Sequence, residues 1–164
     1  MSSTMVDAMT DTRTPLYLDD LAPGRIFRGA GATLVDAAAI TAFAQQFDPQ
    51  PFHLDDAAAR NTMFGGLAAS GWHTAALTMQ LLVSDGPPLA GGIIGAGTDE
   101  LRWPKPVRPG DRLRIECEVL EVRPSRSRPE QGLVKMKTTT LNQNGDPVQV
   151  FVGTLIVPRR KAAE

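Results

Sequence analysis

Two side chains in the stretch Phe47-Asp48-Pro49-Gln50-Pro51-Phe52-His53 are of the types general acid–base chemistry uses: the Asp48 carboxylate and, five positions on, the His53 imidazole. Pro49 and Pro51 stand between them. Both lack an amide donor and fix φ, so a helix running into Asp48 must stop there and the chain must leave in an extended turn. A stiff turn of this kind can bring His53 back beside Asp48, and two groups that exchange protons with one small reacting centre must both reach it. The bland alternative is an aspartate that caps a proline-rich turn with a histidine nearby, and spacing alone leaves both readings open.

A second candidate is Gly71, which follows Ser70 at the start of a long apolar run. A glycine in the first turn of a helix exposes an N–H without an intrahelical acceptor and lets a ligand approach the backbone closely. Helped by the helix dipole, that N–H can stabilise charge developing on a carbonyl oxygen. Ser70 suits the N-cap position. The alternative is a glycine needed only for tight packing. His73, two residues further on, either lines the same pocket or bonds a neighbouring loop; the second is commoner for a lone histidine on an apolar helix.

The stretch around Asp48 resembles the signature of the MaoC-like hydratases, the (R)-specific enoyl-CoA hydratase group of the hot-dog superfamily. Their pattern runs aromatic or aliphatic residue, Asp, any residue, Asn, Pro, aliphatic residue, His. It holds here at Asp48, Pro51 and His53, with Gln50 in place of the Asn, and the resemblance extends from about Leu18 to Val157. It implies a single α+β hot-dog domain in which a curved antiparallel sheet wraps a central apolar helix. It also implies that Asp48 and His53 activate a water for addition across the C2–C3 double bond of an enoyl thioester. Gly71 matches the family's carbonyl-binding glycine, although a His usually precedes it where this chain has Ser70. Gln50, Ser70 and His73 are placed as supporting residues around the pair. The substrate implied is an acyl thioester of coenzyme A or of an acyl carrier protein, with coenzyme A only as part of the substrate and no separate cofactor. Hot-dog domains pair through their sheets, so a homodimer or higher homo-oligomer is implied as well.

Composition sets the outer bounds. A chain of 164 residues, 42% hydrophobic and 21% charged, fits one soluble globular domain rather than a disordered or membrane-spanning chain. A net charge of −1 gives no basic field for nucleic acid. One cysteine, Cys117, and two histidines make a Cys- or His-based metal site implausible. Residues 1–16 have no apolar core and read as a loose tail rather than a signal, residues 17–158 as the domain, and residues 159–164 as a basic tail. A cytoplasmic location is expected.

The elements that must position these residues follow from periodicity. Arg25 to Arg28 reads as a short strand. Thr33 reads as an N-cap with Asp36 in the first helical turn, and Ala37, Ile40, Ala44 and Phe47, widened by Phe43, form an apolar face that delivers Asp48. Asp55 and Asp56 open a short helix over Ala57 to Arg60, broken at Met63-Phe64-Gly65-Gly66. The run from Ser70 through Val83 is apolar on nearly every face, predicting a helix buried on most sides and ended by Gly86-Pro87-Pro88. Strands follow over Ile93 to Trp103, where Gly95 and Gly97 suggest a close backbone approach or a bulge, then Arg112 to Val119, Leu133 to Leu141, and Val148 to Val157 after an Asn144-Gly145 hairpin. The last is expected at a sheet edge, where it would favour association.

Other patterns carry less. Gly92-Ile93-Ile94-Gly95-Ala96-Gly97 imitates a dinucleotide loop, but a strand follows it instead of a helix. Arg102, Lys105, Arg108, Arg112 and Arg114 form a basic run that could meet coenzyme A phosphates, though a solvated strand face is the commoner meaning. Two functions besides a hydro-lyase stay open: a hot-dog thioesterase using Asp48 to activate water, and a non-catalytic acyl-CoA-binding subunit.

Overall fold

The computed structural model describes residues 12–162. After a short turn at Leu18–Asp20 come β1 (Ile26–Arg28) and β2 (Thr33–Leu34), then three helices, α1 (Ala37–Phe47), α2 (Pro51–Leu54) and α3 (Asp56–Ala59). The long helix α4 (Gly71–Asp85) precedes the strands β3 (Ile94–Arg102), β4 (Arg112–Pro124), β5 (Gln131–Leu141) and β6 (Pro147–Pro158). The sheet is antiparallel, in the order β1-β4-β5-β6-β3, with β2 added to β4.

The cap of α1 differs from expectation. Asp36 is the N-cap, its Oδ1 accepting the Ala39 amide at 2.7 Å, while Thr33 pairs with Leu113 in β2. Either side chain can cap, and the ladder to β4 claims the earlier one. Ile40 and Ala44 face the core as expected, but Phe47 is exposed. The helix stops at Asp48, and the chain is extended only briefly, because Pro51 takes the first position of α2, where its fixed φ and missing N–H are harmless. His53 therefore lies on a helical turn.

The alternating strand β4 runs five residues further than expected, and its inward set Leu113, Ile115, Cys117 and Val119 is fully buried. With Val134 and Met136 of β5 and Leu155 of β6 it forms one wall of the core, and Leu81 and Leu82 of α4 form the other. The glycines of β3 do mark a bulge between Gly95 and Gly97. The expected edge strand is corrected: β6 lies between β5 and β3, so it is β3 whose outer edge has no strand beside it among the described residues. The burial of α4 is corrected too. Trp72, Met79 and Val83 are exposed, because a single sheet covers one side of the helix and these positions, seven and four residues apart, share the other.

Residues 1–11 of the expected tail lie outside the described residues; from there the chain is held, with Leu16 exchanging 2.8 Å backbone bonds with Pro88 and Ala90. At the other end Arg159 and Arg160 pair with Asp19 and Asp20 at 3.2 and 2.7 Å. No helix among the described residues is long and apolar enough to cross a membrane.

Leu81 is 2% exposed at the helix–sheet contact. Leu81→Ala is expected to cost about 2–5 kcal/mol, the usual range for a core leucine. Denaturant unfolding should show a lower midpoint with unchanged slope.

Candidate active site

Two helix ends meet at the site. Asp48 is the C-cap of α1, and Ser70 is the N-cap of α4. The Ser70 hydroxyl accepts the Trp72 amide at 3.2 Å and donates to Asp48 Oδ2 at 2.7 Å. Gln50 donates its side-chain amide to the other carboxylate oxygen at 2.7 Å. His53 Nε2 stands 3.4 Å from Asp48 Oδ2. The structure thus brings together four of the six residues singled out in the sequence: Asp48, His53, Ser70 and Gln50.

His53 is buried and fixed from behind. Its Nδ1 lies 2.7 Å from the Ala68 carbonyl oxygen, which can only accept, so Nδ1 carries the proton and Nε2 is the atom turned toward Asp48. Phe52 meets the ring edge-on at 4.6 Å between centroids, and Phe64 packs at 5.8 Å.

Gly71 is the first residue of α4, beside Ser70, and its N–H is one of the four that a helix start leaves without an intrahelical acceptor. Close packing also requires a glycine here. A Cβ at this position would lie 2.6 Å from Cε2 of Trp103, whose indole N–H donates to Gln149 at 2.9 Å. His73 corrects the expectation of a bond to a neighbouring loop. It stacks on Phe43 at 4.8 Å with the planes 11° apart, and its buried Nδ1 has no partner among the described residues. Burial pushes its pKa down, so the ring is held neutral.

An apolar cavity of about 260 Å³ lies toward the other end of α4, bordered by Met79, Leu82, Met136, Phe151 and Leu155. From Ser70 to Met79 is nine residues, roughly 13 Å of helix. Within the basic run, Lys105 pairs with Asp146 at 2.5 Å, Arg102 pairs with Glu100, and Arg108 is turned onto backbone carbonyls. Among the described residues no group of His, Cys, Asp and Glu gathers as a metal site.

The profile of the MaoC like domain matches residues 20–142. The chain belongs to the MaoC-like domain family. It is 36% identical over 144 residues to the uncharacterized protein YdeM of Bacillus subtilis, covering 87% of this chain and 97% of that one. Among solved structures it resembles a MaoC-like dehydratase from Rhodospirillum rubrum, with a TM-score of 0.86 at 58% identity over 90% of this chain and 99% of that one. It also resembles the R-hydratase PhaJ1 of Pseudomonas aeruginosa, with a TM-score of 0.70 at 28% identity over 92% and 93%. The sheet curled over α4 is accordingly a hot-dog fold.

Seen as a MaoC-like domain, the chain's two departures meet on one carboxylate. Gln50 and Ser70 both donate to Asp48. Burial, the largest single influence, raises the pKa of Asp48. The bonds from Ser70 and Gln50, and the charge of His53 when it is protonated, together outweigh it and leave the carboxyl below its ordinary value. Sequence reading did not find Trp103, Ala68, Phe64 or the use made of Arg108. Each lies 11 or more residues from its partner in the site, and no local pattern signals the contact.

Because the folded pKa of Asp48 is depressed, its stabilisation is present above the unfolded carboxyl value and is lost as pH falls through the folded one. Ser70→Ala removes one lowering bond. The Asp48 titration midpoint, followed by carboxyl carbon NMR, should rise. Loss of the N-cap should cost about 1 kcal/mol at any pH, and the total deficit should be larger at neutral pH than in acid.

Proposed function

We propose that this domain is a hydro-lyase that reversibly adds water to a trans-2-enoyl thioester to give the 3-hydroxyacyl thioester. The observation that carries the reading is the facing of Asp48 Oδ2 and His53 Nε2 at 3.4 Å, with Asp48 held through both oxygens by Gln50 and Ser70 and His53 held through Nδ1. Family membership and the likeness to an R-hydratase support it.

An ionised Asp48 and a neutral His53 protonated at Nδ1 both present lone pairs. Two acceptors this close take the two hydrogens of one water and aim its oxygen lone pair outward, at C3 of the substrate. As the C3–O bond forms, the pair takes one proton from the water, and the C2–C3 π electrons move onto the thioester carbonyl oxygen. The Gly71 N–H, at the positive end of α4, stabilises that enolate. Its collapse returns the electrons to C2, which takes the proton held by the pair. Delivery from the pair that held the water puts the new C2–H and the 3-hydroxyl on the same face of the former double bond.

The carrier is read as coenzyme A or an acyl carrier protein, because the carbonyl-binding amide and the water need only the thioester end. The domain is read as a homodimer. Among the described residues the outer edge of β3 lacks a partner, and Ile94 at its start is 48% exposed, an edge that a second copy would pair.

Asp48→Asn and His53→Ala should each lower the hydration of crotonyl-CoA about 10²–10⁴-fold, the usual contribution of a positioned acid–base group. Loss of enoyl absorbance reads the reaction directly. Full activity in both variants overturns the assignment, and release of free thiol at constant enoyl absorbance identifies a thioesterase instead.

A further inference from the structure

The group that selects the working nitrogen of His53 is the Ala68 carbonyl, and the segment bearing that carbonyl has no regular secondary structure of its own. Ala68 itself donates its amide to the Phe52 carbonyl at 3.2 Å, and the residues before it are held by two side chains, Arg108 and Asp56. Arg108 donates through Nη1 to the carbonyls of Gly66 at 2.9 Å and Leu67 at 3.3 Å, and through Nη2 to that of Phe64. Its own backbone is set by Asp111, whose Oδ2 accepts the Arg108 amide at 2.8 Å and whose amide returns a bond to the Arg108 carbonyl at 3.0 Å. The neighbouring Val107 carbonyl accepts the Ala69 amide at 2.9 Å. Asp56 completes the hold by accepting the Leu67 amide at 3.0 Å.

The consequence is specific. The residues Arg108 grips run from Phe64, which packs on the His53 ring, to Leu67, which immediately precedes Ala68. A planar guanidinium spans several acceptors at once, whereas an ammonium is a point donor. The carbonyls that Arg108 grips are part-buried, and without its donors they would turn toward other partners and carry the neighbouring Ala68 carbonyl with them. A displaced Ala68 carbonyl frees Nδ1, and the ring proton can then move to Nε2, the atom that must accept from the water.

We propose that Arg108 is a positioning residue for the hydration reaction, holding the Phe64–Leu67 carbonyls so that the Ala68 carbonyl keeps His53 in its Nδ1-protonated form. The proposal rests on the hydratase reading for its effect on turnover, but its structural half is read without any substrate.

The chain has two histidines, so long-range proton–nitrogen NMR shows two imidazoles. His73, stacked on Phe43 away from this segment, serves as the internal reference. In the wild-type protein His53 is expected to show the Nδ1-protonated tautomer alone. Arg108→Met, which keeps the alkyl stem and removes the donors, should give mixed tautomers at His53 with the His73 signals unmoved. It should lower kcat about 10–100-fold, the scale of a small displacement imposed from outside the chemistry, while KM changes little. Arg108→Lys, which keeps the charge but not the fork, should show the same mixture and a smaller loss, and it reads the proposal if the methionine variant does not fold. A folded variant that keeps a pure Nδ1-protonated His53 overturns it. Wild-type protein that shows this tautomer but hydrates no enoyl thioester overturns the hydratase reading alone.

Discussion

One hydroxyl group joins the two helices on which the site depends. Ser70 uses its oxygen lone pair to cap α4 and its proton to hold Asp48, so the start of the long helix and the end of α1 share a single atom. The electrostatics explain the need for such a joint. A carboxylate at the C-terminal end of α1 faces the negative end of that helix dipole, which disfavours it, while the N-terminal end of α4 is positive and favours it. Only if the two ends are kept together does the second field offset the first. The 2.7 Å bonds from Ser70 and Gln50 keep Asp48 at that junction and hold its pKa below the ordinary value against the effect of burial.

His53 is placed by different means. Its ring is wedged by Phe52 and Phe64 and anchored on a backbone carbonyl. A carbonyl partner fixes the tautomer without tying the ring to a second negative charge, as a carboxylate in that position would. Asp48 is therefore held through both oxygens, Oδ1 by Gln50 and Oδ2 by Ser70, and His53 through Nδ1. Nε2 and the remaining lone pair of Oδ2 are left to act on a shared small molecule.

Much of this was legible from local sequence. The proline-flanked stretch fixed where α1 ends, Ser70-Gly71 marked the start of α4, and Asn144-Gly145 marked the hairpin, where Gly145 does adopt a φ of +80°. These are decisions made within a few residues, by φ restriction and capping. What failed depends on partners far along the chain. Thr33 and Asp36 are both good caps, and the choice is made by Leu113. The alternating pattern of Val148 to Val157 identifies a strand but not its neighbours, and β3, which precedes it by some 45 residues, covers its far side. The apolar surface of α4 reads as burial all round, yet one sheet reaches only half the circumference. Gly71 looks like a site for ligand approach, and the Trp103 ring against it arrives from 32 positions away.

Three exposed aromatic rings stand next to residues of the site. Phe47 precedes Asp48 and is 63% exposed, Trp72 follows Gly71 at 60%, and Trp103, packed against Gly71, is 40% exposed. An enolate stabilised by one amide in open water would gain little, because the same interaction is weakened several-fold by a high dielectric. Hydration through Gly71 thus requires that water other than the reacting molecule be kept away from this end of α4. Within a single chain the cavity of about 260 Å³ is at the opposite end of the helix, and the rings of Phe47, Trp72 and Trp103, next to Asp48 and Gly71, are uncovered. Whatever covers those rings, acyl thioester or second subunit, lowers the local dielectric where the charge develops. In the proposed reaction, assembly and substrate binding would therefore contribute to catalysis through the same surface.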